Sequence, residues 1–206
     1  NEVVLNLSWS GAAANDSDTT DRPTNVTIGA DGKVELTVTT VNDTIYEGTE
    51  KLTASISRVK ANTAFEAIEI SGAKGSTESI ITDNDSAPKV ATIVGDSVVE
   101  GNANSFAVNL TNTSSTPTTL TLTLASGSAT KGADFSGTQV TVTIGGVDQV
   151  VNVNADGSFN VTVPANTGSF SVKVDTVNDT VFEASENYTL SGAGTSSTGT
   201  GTATIT

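Results

Sequence analysis

The sequence predicts an all-β protein made of two tandem antiparallel β-sandwiches, and three observations carry that expectation. Thr, Ser, Val, Asn and Gly dominate while Met is absent, a composition that favours strands and turns over helices. Apolar residues alternate with polar ones at period two in short runs, each closed by Gly, Asn, Asp or Pro. The chain also repeats itself: Val-Asn-Asp-Thr-Ile-Tyr-Glu-Gly-Thr-Glu at 41–50 returns as Val-Asn-Asp-Thr-Val-Phe-Glu-Ala-Ser-Glu at 177–186. That duplication divides the 206 residues into two modules of roughly 100 residues each. Each is large enough to bury a modest core.

In chain order, Val3–Trp9 alternates as a half-buried strand, and Val34–Thr40 does the same. Asp31-Gly32 precedes the second run and reads as a tight hairpin turn, because Gly supplies a positive φ at little cost. Strand Ser79–Thr82 leads into Asp83-Asn84-Asp85 and then Ser86-Ala87-Pro88, so the first module is expected to span 1–85 and the second 86–206. Pro88 restricts the residue before it and stiffens the connection. Leu120–Leu124, Val140–Ile144, Phe159–Val163 and Phe170–Val174 continue the strand pattern. Overlaying the repeats gives a constant offset from Gly11/Gly127 through Asp18/Asp134 to Ile28/Ile144, then a larger one. The second repeat therefore carries an insertion near 145–168, read as an extra hairpin turning at Asp156-Gly157, while the first is longer around Arg58–Ser79.

Charge narrows the function. Nine basic residues against 23 acidic ones, for a formal charge of −14, exclude nucleic acid and anionic lipid as partners. No apolar run approaches the roughly 18 residues needed to span a bilayer, so no membrane insertion is expected. The chain has neither His nor Cys, which removes Ser-His-Asp and Cys-His catalysis and zinc-thiolate sites. A carboxylate pair for glycoside hydrolysis lacks an aromatic-lined cleft, so an enzyme is not expected. Trp9, Tyr46, Phe135, Phe159 and Phe182 are assigned to core filling, with a sugar-stacking platform as the alternative. What remains is a concentration of oxygen donors: each repeated peptide sets an Asn-Asp pair a few residues before two glutamates. Ca²⁺ takes about 6–8 hard oxygens from carboxylates, amides, backbone carbonyls and water, which such loops supply.

Ser-Val-Val-Glu-Gly at 97–101, Ala-Thr-Lys-Gly-Ala-Asp-Phe at 129–135, the acidic peptide at 177–186 and Ile-Thr-Asp-Asn-Asp at 81–85 together resemble the Calx-β domain. The resemblance covers nearly the whole chain, as a first repeat lacking its opening strand and a second with the inserted hairpin. It implies immunoglobulin-like sandwiches that bind Ca²⁺ at one end. In bacteria such domains stand in tandem arrays of secreted or surface-attached adhesins, including RTX adhesins. Carried over by position, the ligands in the first repeat are Asp18, Asn42, Asp43, Glu47, Glu50, Asp83 and Asp85, with the Ile45 carbonyl. In the second they are Glu100, Asp134, Asn178, Asp179, Glu183 and Glu186, with the Val181 carbonyl. Asn42 and Asn178 stand where some calcium-sensing members have Asp, which lowers the charge and points to one or two ions per site.

The function implied is an extender segment: calcium-stiffened modules that project a distal binding domain in cell adhesion or biofilm formation. Its partners are calcium ions and neighbouring domains of the same chain. The alternative is a module that itself binds a glycan or protein of a host or surface. A calcium sensor regulating a transporter is a third class, disfavoured by the Asn-for-Asp positions.

Overall fold

The computed structural model describes residues 3–14, 18–60, 68–193 and 199–206. Among them Ala12–Ala14 forms a 3-10 turn, and nearly all the rest is strand, turn and loop. The all-β expectation holds. The chain divides into two compact units, Asn1–Asp43 with Glu47–Asp85, and Thr44–Tyr46 with Ser86–Thr206.

The first unit is built on an antiparallel sheet ordered β3-β1-β6-β7, with β1 at Val3–Ser10, β3 at Asn25–Ile28, β6 at Thr49–Val59 and β7 at Ser76–Thr82. Two short strands, β2 at Thr19–Thr20 and β4 at Thr39–Thr40, form a separate ladder. Period-two alternation turns Leu5 and Leu52 inward, where they are buried. Beside them Leu7, Trp9, Val26, Ala54 and Ile56 line an apolar cavity of about 540 Å³, partly covered by Val34, Leu36 and Val38.

That covering segment corrects the predicted strand Val34–Thr40, of which only Thr39–Thr40 is paired. Its counterpart by repeat, Phe170–Val174, lies between two partner strands in the second unit, and a strand without partners is not a strand. Asp31-Gly32 does form a turn, with the Gly32 N–H on the Gly29 carbonyl at 3.1 Å and a φ of 76° at Gly32. It is not a hairpin turn, because residues 33–38 do not pair with β3. Residues 61–67, within the stretch where the first repeat is longer, lie outside the described residues.

The second unit is a two-sheet sandwich. One sheet runs β14-β13-β16-β10-β8, from β8 at Val90–Gly95, β10 at Ala103–Leu110, β13 at Gln139–Ile144, β14 at Val147–Asn152 and β16 at Ser169–Asp175. The other runs β15-β12-β17-β18-β9, from β9 at Ser97–Val98, β12 at Thr118–Ser126, β15 at Ser158–Val163, β17 at Glu186–Gly192 and β18 at Thr200–Ile205. A small parallel pair joins β11 at Thr113–Ser114 to β5 at Ile45–Tyr46 within this unit. Inward residues of both sheets, among them Phe106, Val108, Leu122, Val142, Phe159, Val172 and Leu190, form one buried cluster.

The predicted inserted hairpin is instead two strands in different sheets. β14 pairs with β13 through the turn Gly145-Gly146, both at positive φ, whereas β15 pairs with β12. Asp156-Gly157 carries the chain from one sheet to the other. There the Gly157 carbonyl accepts the Leu124 N–H at 2.9 Å, and a Cβ on Gly157 would lie 2.2 Å from the Leu124 carbonyl oxygen.

The sandwich core also holds a polar thread. The Tyr188 ring stacks on Phe135 with centroids 4.1 Å apart and meets Phe106 edge-on at 5.6 Å. Its hydroxyl donates to Asn104 Oδ1 at 3.0 Å, and Asn104 Nδ2 donates to Asp96 Oδ1 at 2.9 Å. Burial raises the Tyr188 pKa, with Asp96 and Asp175 adding to the shift, so the hydroxyl keeps its proton.

Candidate metal centre

Each unit gathers its own set of oxygen donors. In the first, a cleft of about 220 Å³ is lined by Asp18, Asn42, Asp43, Glu47, Glu50, Asp83 and Asp85, together with Asn84. Asp18 is buried just before β2, and its carbonyl accepts the Val41 N–H at 2.7 Å, which ties it to the strand leading into Asn42 and Asp43. Asp83 follows β7. Its Oδ2 accepts the N–H groups of Glu47 and Gly48 at 2.6 and 3.0 Å, and its Oδ1 accepts that of Asp85 at 2.8 Å. Desolvation pushes the Asp83 pKa up, but those three backbone donors outweigh it and hold the carboxyl below its ordinary value. Gly48 sits at a φ of 80°, which lets consecutive amides converge on one carboxylate. Ile45 does not join this cleft; it stands in β5, paired with Thr113.

In the second unit Asp134, Glu183 and Glu186 place carboxylate oxygens within 4.8 Å of one another. Asp134 precedes the fully buried Phe135. The Asp134 Oδ2 accepts the Thr130 N–H at 2.6 Å and its carbonyl accepts that of Val177 at 2.9 Å. Core packing of Phe135 thus fixes a surface carboxylate. Glu186 opens β17, and Glu183 lies in the loop before it. Desolvation raises the Glu183 pKa, followed by the charges of Asp134, Asp179 and Glu100. Glu186 is raised as well, by desolvation, a carboxyl–carboxyl hydrogen bond to Asp134, and the charges of Asp134 and Glu183.

Glu100 and Asp179 are near enough for their charges to act on Glu183. Asn178 packs at Gly101, where a Cβ would meet its Cβ at 2.9 Å. Val181 is exposed and donates its N–H to Asp179 Oδ1 at 2.7 Å. Among the aromatics assigned to the core, Phe135 and Phe159 are buried, but Phe182 is 99% exposed, which corrects that assignment for Phe182. Trp9 and Tyr46 are half-buried.

The donor chemistry fits calcium. Two oxygens on one Ca²⁺ at 2.3–2.6 Å stand at most about 5 Å apart, and the trio lies inside that reach. Glu183 and Glu186 are raised first by desolvation and then by neighbouring carboxylates, as expected where acidic groups gather without a counter-charge. Imidazole and thiolate, which suit zinc and copper, are absent from the chain. Reading the sequence for ligands passed over Asn84, whose Nδ2 donates to Asn42 Oδ1 at 2.6 Å, and Gly48, whose amide holds Asp83. Asn84 stands between two aspartates that were singled out, and that position is the signal that points to it.

The family profile of the Calx-beta domain matches residues 1–85, 97–156 and 155–198. The chain belongs to the Calx-beta family. No curated protein matches it in sequence. Among solved structures it is similar to CBD12 from CALX1.2, with 18% identity over 54% of this chain and 41% of that one, at a TM-score of 0.39. The Calx CBD1 domain in its apo form is similar at 14% identity over 57% of this chain and 96% of that one, TM-score 0.39. ACE19, the collagen binding subdomain of the Enterococcus faecalis surface protein ACE, is similar at 16% identity over 58% and 97%, TM-score 0.32. The Calx-beta chain described here therefore spans under half the length of the CBD12 structure. Among its described residues no helix is long and apolar enough to cross a membrane.

Proposed function

We propose that this Calx-beta pair is a calcium-binding, non-catalytic extender segment of a bacterial surface adhesin, RTX adhesins included. Its modules project a distal binding domain in cell adhesion or biofilm formation. The observation that carries the reading is the duplication of the acidic peptide, with carboxylates gathered in both units. In the first unit Asp18, Asn42, Asp43, Glu47, Glu50, Asp83 and Asp85 hold the ion, and in the second Glu100, Asp134, Asn178, Asp179, Glu183 and Glu186 do so. Bound calcium neutralises carboxylates that otherwise repel, and by binding only the folded form it stabilises the modules. Asp83 and Asp85 precede Pro88 by five and three residues, so an ion held there also restrains the connection between repeats.

The test is small-angle scattering with a thermal melt, in excess Ca²⁺ and in chelator. The expected result is a higher melting temperature and a more extended particle with calcium, with both differences reduced by Asp43→Asn together with Asp85→Asn. Identical curves in both conditions would sink the calcium reading, and saturable binding to a glycan or protein array would replace it with a ligand-binding module.

A further inference from the structure

The apolar cavity of the first unit, about 540 Å³, lies between β1, β6 and the unpaired residues 33–38. Its size falls in the range of roughly 300–1,000 Å³ typical of ligand sites. Trp9 is anchored in its wall, the indole N–H donating to the Pro23 carbonyl at 2.9 Å. Lys74 is the one charged residue among the described residues that line it, so a face free of carboxylates stands in a chain of net charge −14. The repeat shows what covers such a face. Val34, Leu36 and Val38 correspond to Phe170, Val172 and Val174 of β16. Those three are 6%, 0% and 0% exposed, with β10 alongside setting Val108 opposite Phe170, Phe106 opposite Val172 and Asn104 opposite Val174. In the first unit Val34 is 42% exposed, Leu36 and Val38 are only half-buried, and no strand among the described residues pairs with 33–38.

We infer that this face is a strand acceptor: an extended segment of a partner protein, with large apolar residues at every second position, adds antiparallel to residues 33–38 and seats those side chains in the cavity. Two needs select a strand over a small apolar ligand. Val34, Leu36 and Val38 lack apolar cover, and the backbone N–H and C=O groups of 33–38 lack ladder partners, which another backbone supplies at the spacing of a sheet. The register of β10 sets the pattern the partner must present: an aromatic residue opposite Leu36, a β-branched one opposite Val34, and a polar one tolerated opposite Val38. A wall without carboxylates receives such a strand with no anion to desolvate. β10 itself is not available, because it pairs on both edges, with β8 and β16, inside its own sandwich. The cavity wall shares no residue with the acidic cleft, so strand capture stands apart from the calcium reading.

Trp9 is the only tryptophan in the chain, so its fluorescence reports on the cavity directly. The probe is a synthetic peptide, Ala-Asn-Ser-Phe-Ala-Val-Asn-Leu, the sequence of 103–110, added to the whole chain in excess Ca²⁺. A saturable blue shift of the Trp9 emission is expected, weakened at least about 10-fold in affinity by Leu36→Asp in the chain and equally by Phe106→Asp in the peptide, which leaves the chain untouched. A strand edge uses the N–H groups of alternate residues. Of two peptides methylated at alternate backbone nitrogens, one in each phase, one should therefore lose at least about 10-fold and the other match the parent. Equal affinities for these two overturn strand addition and leave a cavity for apolar ligands, and no shift with any peptide overturns acceptance outright. A blue shift that grows with chain concentration in the absence of peptide also overturns it, in favour of a second copy as occupant. A chain that takes the peptide but ignores Ca²⁺ loses the calcium reading alone, and the opposite pattern loses strand acceptance alone.

Discussion

Asp83 illustrates how a carboxylate proposed as a calcium ligand also organises the local backbone. Three backbone N–H groups already point at it, so it organises the Glu47-Gly48 turn with or without an ion. Asp85 lines the same cleft, and it is its backbone amide that Asp83 holds. Asp83→Ala is therefore expected to destabilise the first unit by about 1–2 kcal/mol even in chelator, because charge-assisted hydrogen bonds at a partly exposed site are lost. Asp85→Asn should leave the chelated melt within about 0.5 kcal/mol and weaken only the calcium response. Equal losses for the two variants in chelator would show that Asp83 has no separate structural role. The second trio has the opposite electrostatic sense. Glu183 and Glu186 are raised in the folded protein, so their contribution to stability is fully present below the ordinary Glu pKa and is lost as pH rises through the folded values. Asp83, being lowered, contributes above its ordinary pKa and loses that contribution as pH falls through its folded value. In chelator, acidifying from neutrality towards the Glu range should thus favour the second unit through these two groups, and Glu186→Gln should reduce the gain. Calcium affinity should fall over the same acid range, because protons compete for the same oxygens, and a titration at two pH values measures it.

At the level of elements, glycines and partner strands decide where the chain turns. Gly157 has a φ of 85° and no room for a Cβ against the Leu124 carbonyl. Gly157→Ala should cost about 2–3 kcal/mol by adding left-handed strain to a backbone clash, whereas Gly32→Ala, with open space around it, should cost about 1 kcal/mol. Comparable losses in denaturant melts would contradict the close approach. The same contrast explains what the sequence disclosed. Alternation revealed Val140–Ile144, Phe159–Val163 and Phe170–Val174 because each sits in a sheet with one face buried. It could not reveal that residues 33–38 stay unpaired, because pairing depends on strands elsewhere in the fold. Nor could Asp156-Gly157 disclose that its flanking strands belong to opposite sheets, since a positive φ suits a crossover as well as a hairpin. The acidic positions were legible because the repeat preserves their spacing. The exposure of Phe182 was not, because an aromatic residue carries no mark in the sequence that separates a core position from an exposed one.

Taken as a whole, the molecule joins two units of unequal core. The first buries Leu5, Ala13 and Leu52 beside an apolar cavity, while the second closes two sheets over a cluster running from Val90 to Ile205. Burial of apolar surface is the main favourable contribution to folding, so the two should not share one stability. Calorimetry in chelator is expected to show two transitions, the first unit melting earlier. An ion that binds only the folded form contributes about 2.7 kcal/mol at a free concentration 100 times its dissociation constant. For a domain of about 100 residues that is a rise of roughly 10–20 °C. Each transition should move with its own site: Asp43→Asn with Asp85→Asn should hold the lower one in place while the upper still rises with calcium, and Glu183→Gln with Glu186→Gln should do the converse. Because the Gln pair also relieves the repulsion of the trio, the upper transition should start higher in chelator and then respond weakly. A single transition, shifted equally by either pair of substitutions, would mean that the units fold as one and that calcium at either site is felt by both.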